Sequence, residues 1–258
     1  MSENAESGGG EGVSTTRTSF EVLELLRDRG PLTLGEVRDA TGLAKSTVHR
    51  HLSTLLDMRY LVEEEGRYRL SLRFLQLSEP PRIRKSGYVV AKQKVIELAK
   101  ETEERALFLV PEHYDGVYVH RAGGRNPLHS DTMIGQRRPL HALASGKAVL
   151  AEWPGSRVDD YVAQRGLERL TDNTVTDPEA LGAELAEVRE RGFATNAGEH
   201  IEGLRAVGVP VHDREGDLLG ALSVFGPAGR VSDEDIKHRY PELLKTKAQE
   251  LTIDLTYE

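Results

Sequence analysis

The stretch from Thr33 to Leu56 constrains this chain more than any other. Thr33 and Glu36 stand three apart, just ahead of Val37. That spacing predicts a capping box, in which the two side chains serve orphan backbone N–H groups at a helix start. Gly42 follows Thr41 and supplies the left-handed residue that ends the helix. A second apolar series, Val48, Leu52, Leu55 and Leu56, has helical spacing and predicts a helix over about 45–59. Two helices joined by so short a turn make a helix-turn-helix. A preceding helix is expected over 20–29, with Thr18 and Glu21 as its capping box, Ser19 as a rival cap, and Gly30-Pro31 as its stop. Residues 60–72 predict a hairpin turning at Gly66, with Tyr68, Leu70 and Leu72 on one face, which in this position is a wing.

The outer face of the second helix of the pair points to nucleic acid. It carries Ser46, Thr47, His49, Arg50, Ser53 and Thr54 and meets no acid before Asp57. In a helix-turn-helix this helix enters the major groove of double-stranded DNA. Arg50 suits a bidentate contact to guanine, Lys45, Ser46 and Thr47 sit at the helix N-terminus where phosphate is favoured, and His49 suits a base edge or a phosphate. Arg67 and Arg69 on the wing reach for backbone or minor groove. Overall charge does not help. The 34 Lys and Arg against 42 Asp and Glu give −8, so nucleic-acid binding rests on the local face. The alternative is a winged helix that docks protein.

Ser78-Glu79-Pro80-Pro81 reads as a break, because paired prolines remove two ladder donors. The chain therefore divides into a flexible leader over 1–17, a winged helix-turn-helix DNA-binding domain over 18–79, and a linker with an effector domain over 80–258. In the last part, helices are expected over 92–102, 145–153, 158–164 and 178–191, the last capped by Asp177 with Pro178 at its first position. Strands are expected over 106–111, 117–121, 193–196, 204–212 and 218–225, with hairpin turns at Asp115-Gly116 and Glu215-Gly216. Ser232 caps a final helix interrupted at Pro241. Helices alternating with antiparallel hairpins give an α+β fold around one sheet.

Several chemistries are excluded. The chain has no cysteine, which removes disulfides, thiolate catalysis and Cys-type zinc sites. Ser145-Gly146-Lys147 lacks the Gly and Ser or Thr of a phosphate loop, since positions 141 and 148 are His and Ala. Ser145 also lacks the glycines of a nucleophile elbow. His113, His120 and His129 are spaced by seven and nine and read as surface or satisfied histidines rather than metal ligands. His141 either donates into a pocket or ties down its loop. No metal, cofactor or enzymatic activity is expected. An enzyme built on the C-terminal part is the other alternative. With neither a signal peptide nor a membrane span, the expected location is the cytoplasm.

The order and spacing of four motifs resemble the IclR family of transcriptional regulators. They are Leu34-Gly-Glu-Val-Arg-Asp-Ala-Thr-Gly-Leu43 with Lys45-Ser-Thr-Val-His-Arg50, then Gly66-Arg-Tyr-Arg-Leu70, then Pro139-Leu-His-Ala-Leu-Ala-Ser-Gly-Lys-Ala148, then the spacing of Glu199, Gly203 and Pro210. The resemblance implies a winged helix, a linker helix and a C-terminal GAF-like α/β effector domain. It implies homodimers or dimers of dimers on a palindromic operator, controlled by a small-molecule effector. By motif position, it places Ala144, Ser145, Asn196, Ala206, Ser223 and Phe225 around the effector, with Arg138 and Leu204 at the edge. A small carboxylate, such as a keto acid or sugar acid, suits backbone donors with Ser223, Asn196 and Arg138, and an aromatic acid is the other candidate. Glu199 is assigned to holding its loop. The chain departs from the family pattern at Leu143, Ala206, Asn196, Phe225 and the paired prolines.

Overall fold

Thr33 caps its helix as the spacing requires. In the computed structural model, which describes residues 12–123 and 132–257, its hydroxyl accepts from the Glu36 N–H (3.2 Å), and the Glu36 carboxylate accepts from the Thr33 N–H (2.7 Å). Helix α2 (Leu34–Thr41) ends at Gly42, φ 69°, and α3 (Lys45–Asp57) follows three residues later. The hairpin has β2 (Leu61–Glu64) paired with β3 (Arg67–Leu70). A two-residue strand, β1 (Leu32–Thr33), adds to the other edge of β3. Val22, Leu26, Val37, Val48, Leu52, Leu55 and Leu61 make the core under these elements. Leu72, expected on the hairpin's inner face, lies past the strand and is 78% exposed.

Helix α1 (Ser14–Arg29) starts earlier than its capping signals suggest. Residues 14–17 are therefore helix rather than leader; residues 1–11 of that leader lie outside the described residues. Val13 is the N-cap and makes no side-chain bond. No Pro or Gly intervenes between Val13 and Gly30, so nothing stops the helix from extending past Thr18. The Ser19 hydroxyl lies 3.1 Å from the Thr15 carbonyl and 2.9 Å from Nδ1 of His51, bracing α1 against α3 instead of capping.

The paired prolines do not break the chain where they stand. Pro80 and Pro81 lie inside α4 (Phe74–Ile83), none of whose side chains is buried. Their fixed φ is helical, and the two carbonyls that lose a donor can turn to water. The break comes at Arg84-Lys85, where Lys85 is extended (φ −126°, ψ 134°), before α5 (Ser86–Thr102). Two units separate between Pro81 and Arg82.

The second unit is built on six strands. They are β4 (Arg105–Glu112), β5 (Asp115–Ala122), β6 (Arg137–Pro139), β7 (Ala194–Ala197), β8 (Leu204–His212) and β9 (Leu218–Pro227). Their order is β6-β5-β4-β9-β8-β7, and every pairing is antiparallel. One face packs on α5 and α9 (Tyr240–Tyr257) through Val95, Leu98, Phe108, Val209, Leu222 and Leu244. The other packs on α6 (Ala144–Glu152), α7 (Gly155–Arg165) and α8 (Pro178–Arg191) through Leu109, Leu140, Leu150, Tyr161, Leu181 and Leu185.

Two turns differ from expectation. The β4–β5 reversal is made by His113 (φ 52°) and Tyr114 (φ 62°), while Asp115 and Gly116 belong to β5. Gly116 serves close packing instead: a Cβ there would push on the Leu109 side chain, whose Cδ1 would lie 2.5 Å away. Ser232 and Asp235 form a reciprocal cap, and a π turn over Asp235–Arg239 precedes α9. The helix thus accommodates Pro241 by widening rather than breaking.

Candidate functional site

On α3, the predicted side chains share one exposed side. Lys45, Ser46, His49 and Arg50 are exposed, and Thr47 and Ser53 are half-buried beside them, because Val48, Leu52 and Leu55 take the opposite face into the core. No ion pair or side-chain hydrogen bond with the described residues engages Lys45, His49 or Arg50. Ala44, the N-cap, makes no side-chain bond, so the first N–H groups of α3 stay open to an oxyanion. The wing differs. Arg67 donates to the Pro31 carbonyl (3.0 Å) and to Glu36 (3.2 Å), and Arg69 forks onto Glu64 (2.5 and 3.2 Å). Both wing arginines are committed within the domain, and Glu63, Glu64 and Glu65 are exposed around them.

In the second unit, all eight residues carried over by motif position line one cavity of about 710 Å³, within the range of small-molecule sites. Its floor is the α6-side face of the sheet. Register accounts for the grouping: Asn196 pairs with Ala206, Ala206 with Phe225, and Ser223 with Leu107. Ala144 and Ser145 open α6 above the floor. Gly208 lets α6 come so close, since a Cβ there would stand 2.5 Å from the Ser145 amide nitrogen. At Gly146 a Cβ would lie 2.1 Å from the Leu140 carbonyl oxygen.

The polar groups are not used as expected. Ser223 donates its hydroxyl to the Val207 carbonyl (2.7 Å). Asn196 donates to the Ala142 carbonyl (2.5 Å) and accepts from the Glu199 N–H (3.1 Å). These two side chains build the cavity wall and have little left for a carboxylate. The Ser145 hydroxyl makes no side-chain hydrogen bond with the described residues. Arg138 has no carboxylate partner among them, and its Nε is buried without a hydrogen-bond partner.

Sequence reasoning missed several lining residues, among them Tyr118, His200, Ile201 and Glu202. Tyr118 sits two residues beyond Gly116 on β5 and so shares its face. Its hydroxyl is pushed up to about 12 by burial, against the pull of Arg138. Burial and the Arg138 charge push His200 down to about 4, so its ring is neutral at pH 7. The β7–β8 loop that carries it is tied at its root. Thr171 and Thr174 donate to the Gly198 and Glu199 carbonyls at 2.7 and 2.6 Å.

Beneath that loop lies Lys147, which is fully buried. Its Nζ is 2.7 and 2.8 Å from the Glu199 carboxylate oxygens and 2.5 Å from Glu184. Burial raises the Glu199 carboxyl, and Lys147 opposes that rise. Lys147, weighed in the sequence as part of a phosphate loop, instead fastens the loop to α6. His141 is also structural: Nδ1 lies 2.7 Å from the Tyr161 hydroxyl and Nε2 3.0 Å from the Glu168 carbonyl. His113 is exposed and His120 is buried against the Tyr88 carbonyl (2.6 Å); His129 lies outside the described residues.

A winged helix followed in the chain by an α/β domain with an interior cavity defines a ligand-responsive DNA-binding regulator. The chain belongs to the IclR family. Residues 85–253 match the model of the bacterial transcriptional regulator IclR C-terminal domain, and residues 17–65 match the IclR helix-turn-helix domain. The chain is 30% identical to the transcriptional regulator KdgR of Dickeya chrysanthemi over 249 residues, 96% of this chain and 81% of that one. The crystal structure of Thermotoga maritima IclR superposes with a TM-score of 0.81 at 25% identity, covering 94% of this chain and 98% of that one. An IclR homologue from Microbacterium hydrocarbonoxydans, complexed with 4-hydroxybenzoate, shares the fold with a TM-score of 0.79 at 23% identity, covering 95% and 99%. The protein is accordingly an effector-controlled, DNA-binding transcription regulator. Among the described residues, no helix is long and apolar enough to cross a membrane.

Proposed function

We propose that this regulator works in the cytoplasm as a homodimer, binds a palindromic operator through α3, and changes its operator affinity when a small organic acid enters the C-terminal cavity. The observation that carries the reading is the face of α3, where Lys45, His49 and Arg50 are exposed and have no side-chain partner among the described residues, at a helix whose first amides are open. Arg50 then reads a base edge, His49 and Ser53 lie alongside, and Lys45, Ser46 and Thr47 hold phosphate. Arg67 and Arg69 reach DNA only by giving up Glu36 and Glu64. Paired recognition helices need half-sites one helical turn apart, about 34 Å.

Dimerisation is supported by apolar surface left in water in the first unit. Leu72, Leu75 and Leu77 are each more than half exposed in or beside α4, and apolar side chains gathered on one exposed segment suit a protein interface. The organic-acid effector is supported by Arg138, which has no carboxylate partner among the described residues of the cavity, and by the 4-hydroxybenzoate of the Microbacterium homologue. Binding shifts the population of operator-competent dimers, with the effect carried along α4 and α5, the segments that join the units in the chain.

Sedimentation of wild type and Leu75→Lys, together with a footprint on selected DNA, tests the reading. A dimer that Leu75→Lys weakens at least about tenfold, and two protected half-sites about one turn apart, are expected. A monomer with a single protected site would overturn it.

A further inference from the structure

The cavity has two chemically different ends, and strand order separates them. Across its floor the sequence is Arg138 on β6, Tyr118 on β5, Leu107 on β4, Phe225 on β9, Ala206 on β8. Adjacent strands lie about 4.8 Å apart, so Arg138 is rooted at the opposite side of the floor from Ala206. At the Arg138 end, a guanidinium with a buried, unpartnered Nε forms no ion pair with a carboxylate among the described residues. Its neighbours are two polar rings, Tyr118 and His200, both of which feel its charge. Neither makes a side-chain hydrogen bond with the described residues. The β7–β8 loop brings His200 to this end. A cation left without its counter-charge in a partly dry cavity is costly, and an incoming anion removes that cost.

At the other end the chain offers an apolar body site. Phe225, Ala206, Leu204, Leu143 and Leu107 supply no polar side-chain atoms, while Ser223 and Asn196 are spent on the Val207 and Ala142 carbonyls. The Ser145 hydroxyl leaves room for one polar atom on the ligand. A polyhydroxylated acid would bury several hydroxyls against leucine and phenylalanine, which is unfavourable unless each is paired. A dianion would need a second cation, and the described lining residues hold only Arg138, with Glu202 of opposite sign.

We infer that the effector is a monocarboxylate with an apolar, ring-sized body, its carboxylate held by Arg138 between Tyr118 and His200 and its body against Phe225, Leu204 and Ala206. This rests on the cavity being the effector site. It displaces the sugar acids considered from the sequence, and it moves the anion end from the Ser223 and Asn196 side to β6 and the β7–β8 loop.

The test is calorimetry on the full-length protein with four probes: benzoate, its uncharged isostere benzamide, gluconate and succinate. Benzoate should bind wild type at least about tenfold more tightly than the other three, the size of one charge-assisted contact or several unpaired hydroxyls. Arg138→Gln should weaken benzoate by about tenfold to a hundredfold while leaving the melting temperature near wild type, because among the described residues Arg138 makes only a long (3.5 Å) bond to the Arg137 carbonyl. His200→Ala should weaken it less. Ala206→Leu, which fills the body end, serves as the control for location. Gluconate or succinate binding more tightly than benzoate, with Ala206→Leu abolishing it, would overturn the ligand class and leave the effector site standing. Benzoate bound equally by wild type and Ala206→Leu would overturn the site itself. Equal affinity for benzoate and benzamide, benzoate binding unaffected by Arg138→Gln, or no binding of any probe would overturn the assignment of Arg138 as the anion end.

Discussion

At the scale of single residues, burial decides what each charged group can do. Lys147 is fully enclosed and lives with two carboxylates. Lys147→Met would leave Glu199 and Glu184 without their cation, and removing one partner of a buried pair costs about 3–5 kcal/mol. A large fall in melting temperature is expected, partly restored when Glu199→Gln is added; no restoration would mean that packing of the Lys147 stem is the larger effect. The histidines set the pH behaviour. His120, His141 and His200 all have depressed pKa values, burial being the first cause in each. Each is neutral in the fold and gains a proton on unfolding below about 6.5. Their stability contribution is complete above that pH and is lost as pH falls toward the folded values, about 4 for His200. His212 runs the other way. Its bond to Glu152 raises it, so its contribution is present at low pH and lost as pH rises through its folded value. The three depressed histidines each take stability away as pH falls from 7 to 5, at most about 1.4 kcal/mol per pH unit for each proton, while His212 and the raised Glu199 carboxyl oppose that fall. His200→Gln should flatten that fall. A pH dependence of the melting temperature identical in His200→Gln and wild type would contradict the assignment.

At the scale of elements, glycines and register place the cavity, and they also show what a sequence can reveal. Gly208→Ala would press a Cβ against backbone atoms of Ala144 and Ser145, 2.5–2.7 Å away, and neither backbone can yield without moving α6. A loss of about 1–3 kcal/mol is expected, together with weakened ligand binding because Ala144 and Ser145 line the cavity; a stable variant with wild-type binding would show that α6 is freer than its packing implies. The helix-turn-helix was legible because its signals are local: Thr33, Glu36 and Gly42 act within one turn of where they stand. The start of α1 and the course of α4 were not, since Thr18 and the paired prolines compete with neighbours that tolerate helix. The eight cavity residues taken from motif positions do lie together. Tyr118 and His200 escaped because nothing local marks them. They depend on which strands are neighbours and on where the β7–β8 loop lies. The use of Ser223 and Asn196 inside the wall was equally hidden, since a hydroxyl or amide in the sequence does not say which carbonyl it will meet.

At the scale of the whole molecule, a net charge of −8 makes DNA binding depend on one face rather than on the general field. The exposed side of α3 is cationic and hydroxylic, while acids elsewhere repel non-specific contact. This predicts low non-specific affinity and a strong dependence on a few side chains. The second unit answers to a different chemistry, a largely apolar cavity in which, among the described residues, Arg138 forms no ion pair. The most direct test of the account joins the two. Genomic fragments from the source organism are selected on the full-length protein, and the winning duplex and a scrambled duplex are titrated by fluorescence anisotropy across a salt series, with and without a cavity ligand. The account predicts preference for the selected duplex, affinity falling with salt, a loss of about 1–3 kcal/mol with relaxed base preference in Arg50→Ala, and a shift in operator affinity on adding ligand that Ala206→Leu abolishes. Equal affinity for both duplexes, or operator binding indifferent to a ligand that demonstrably fills the cavity, would contradict it.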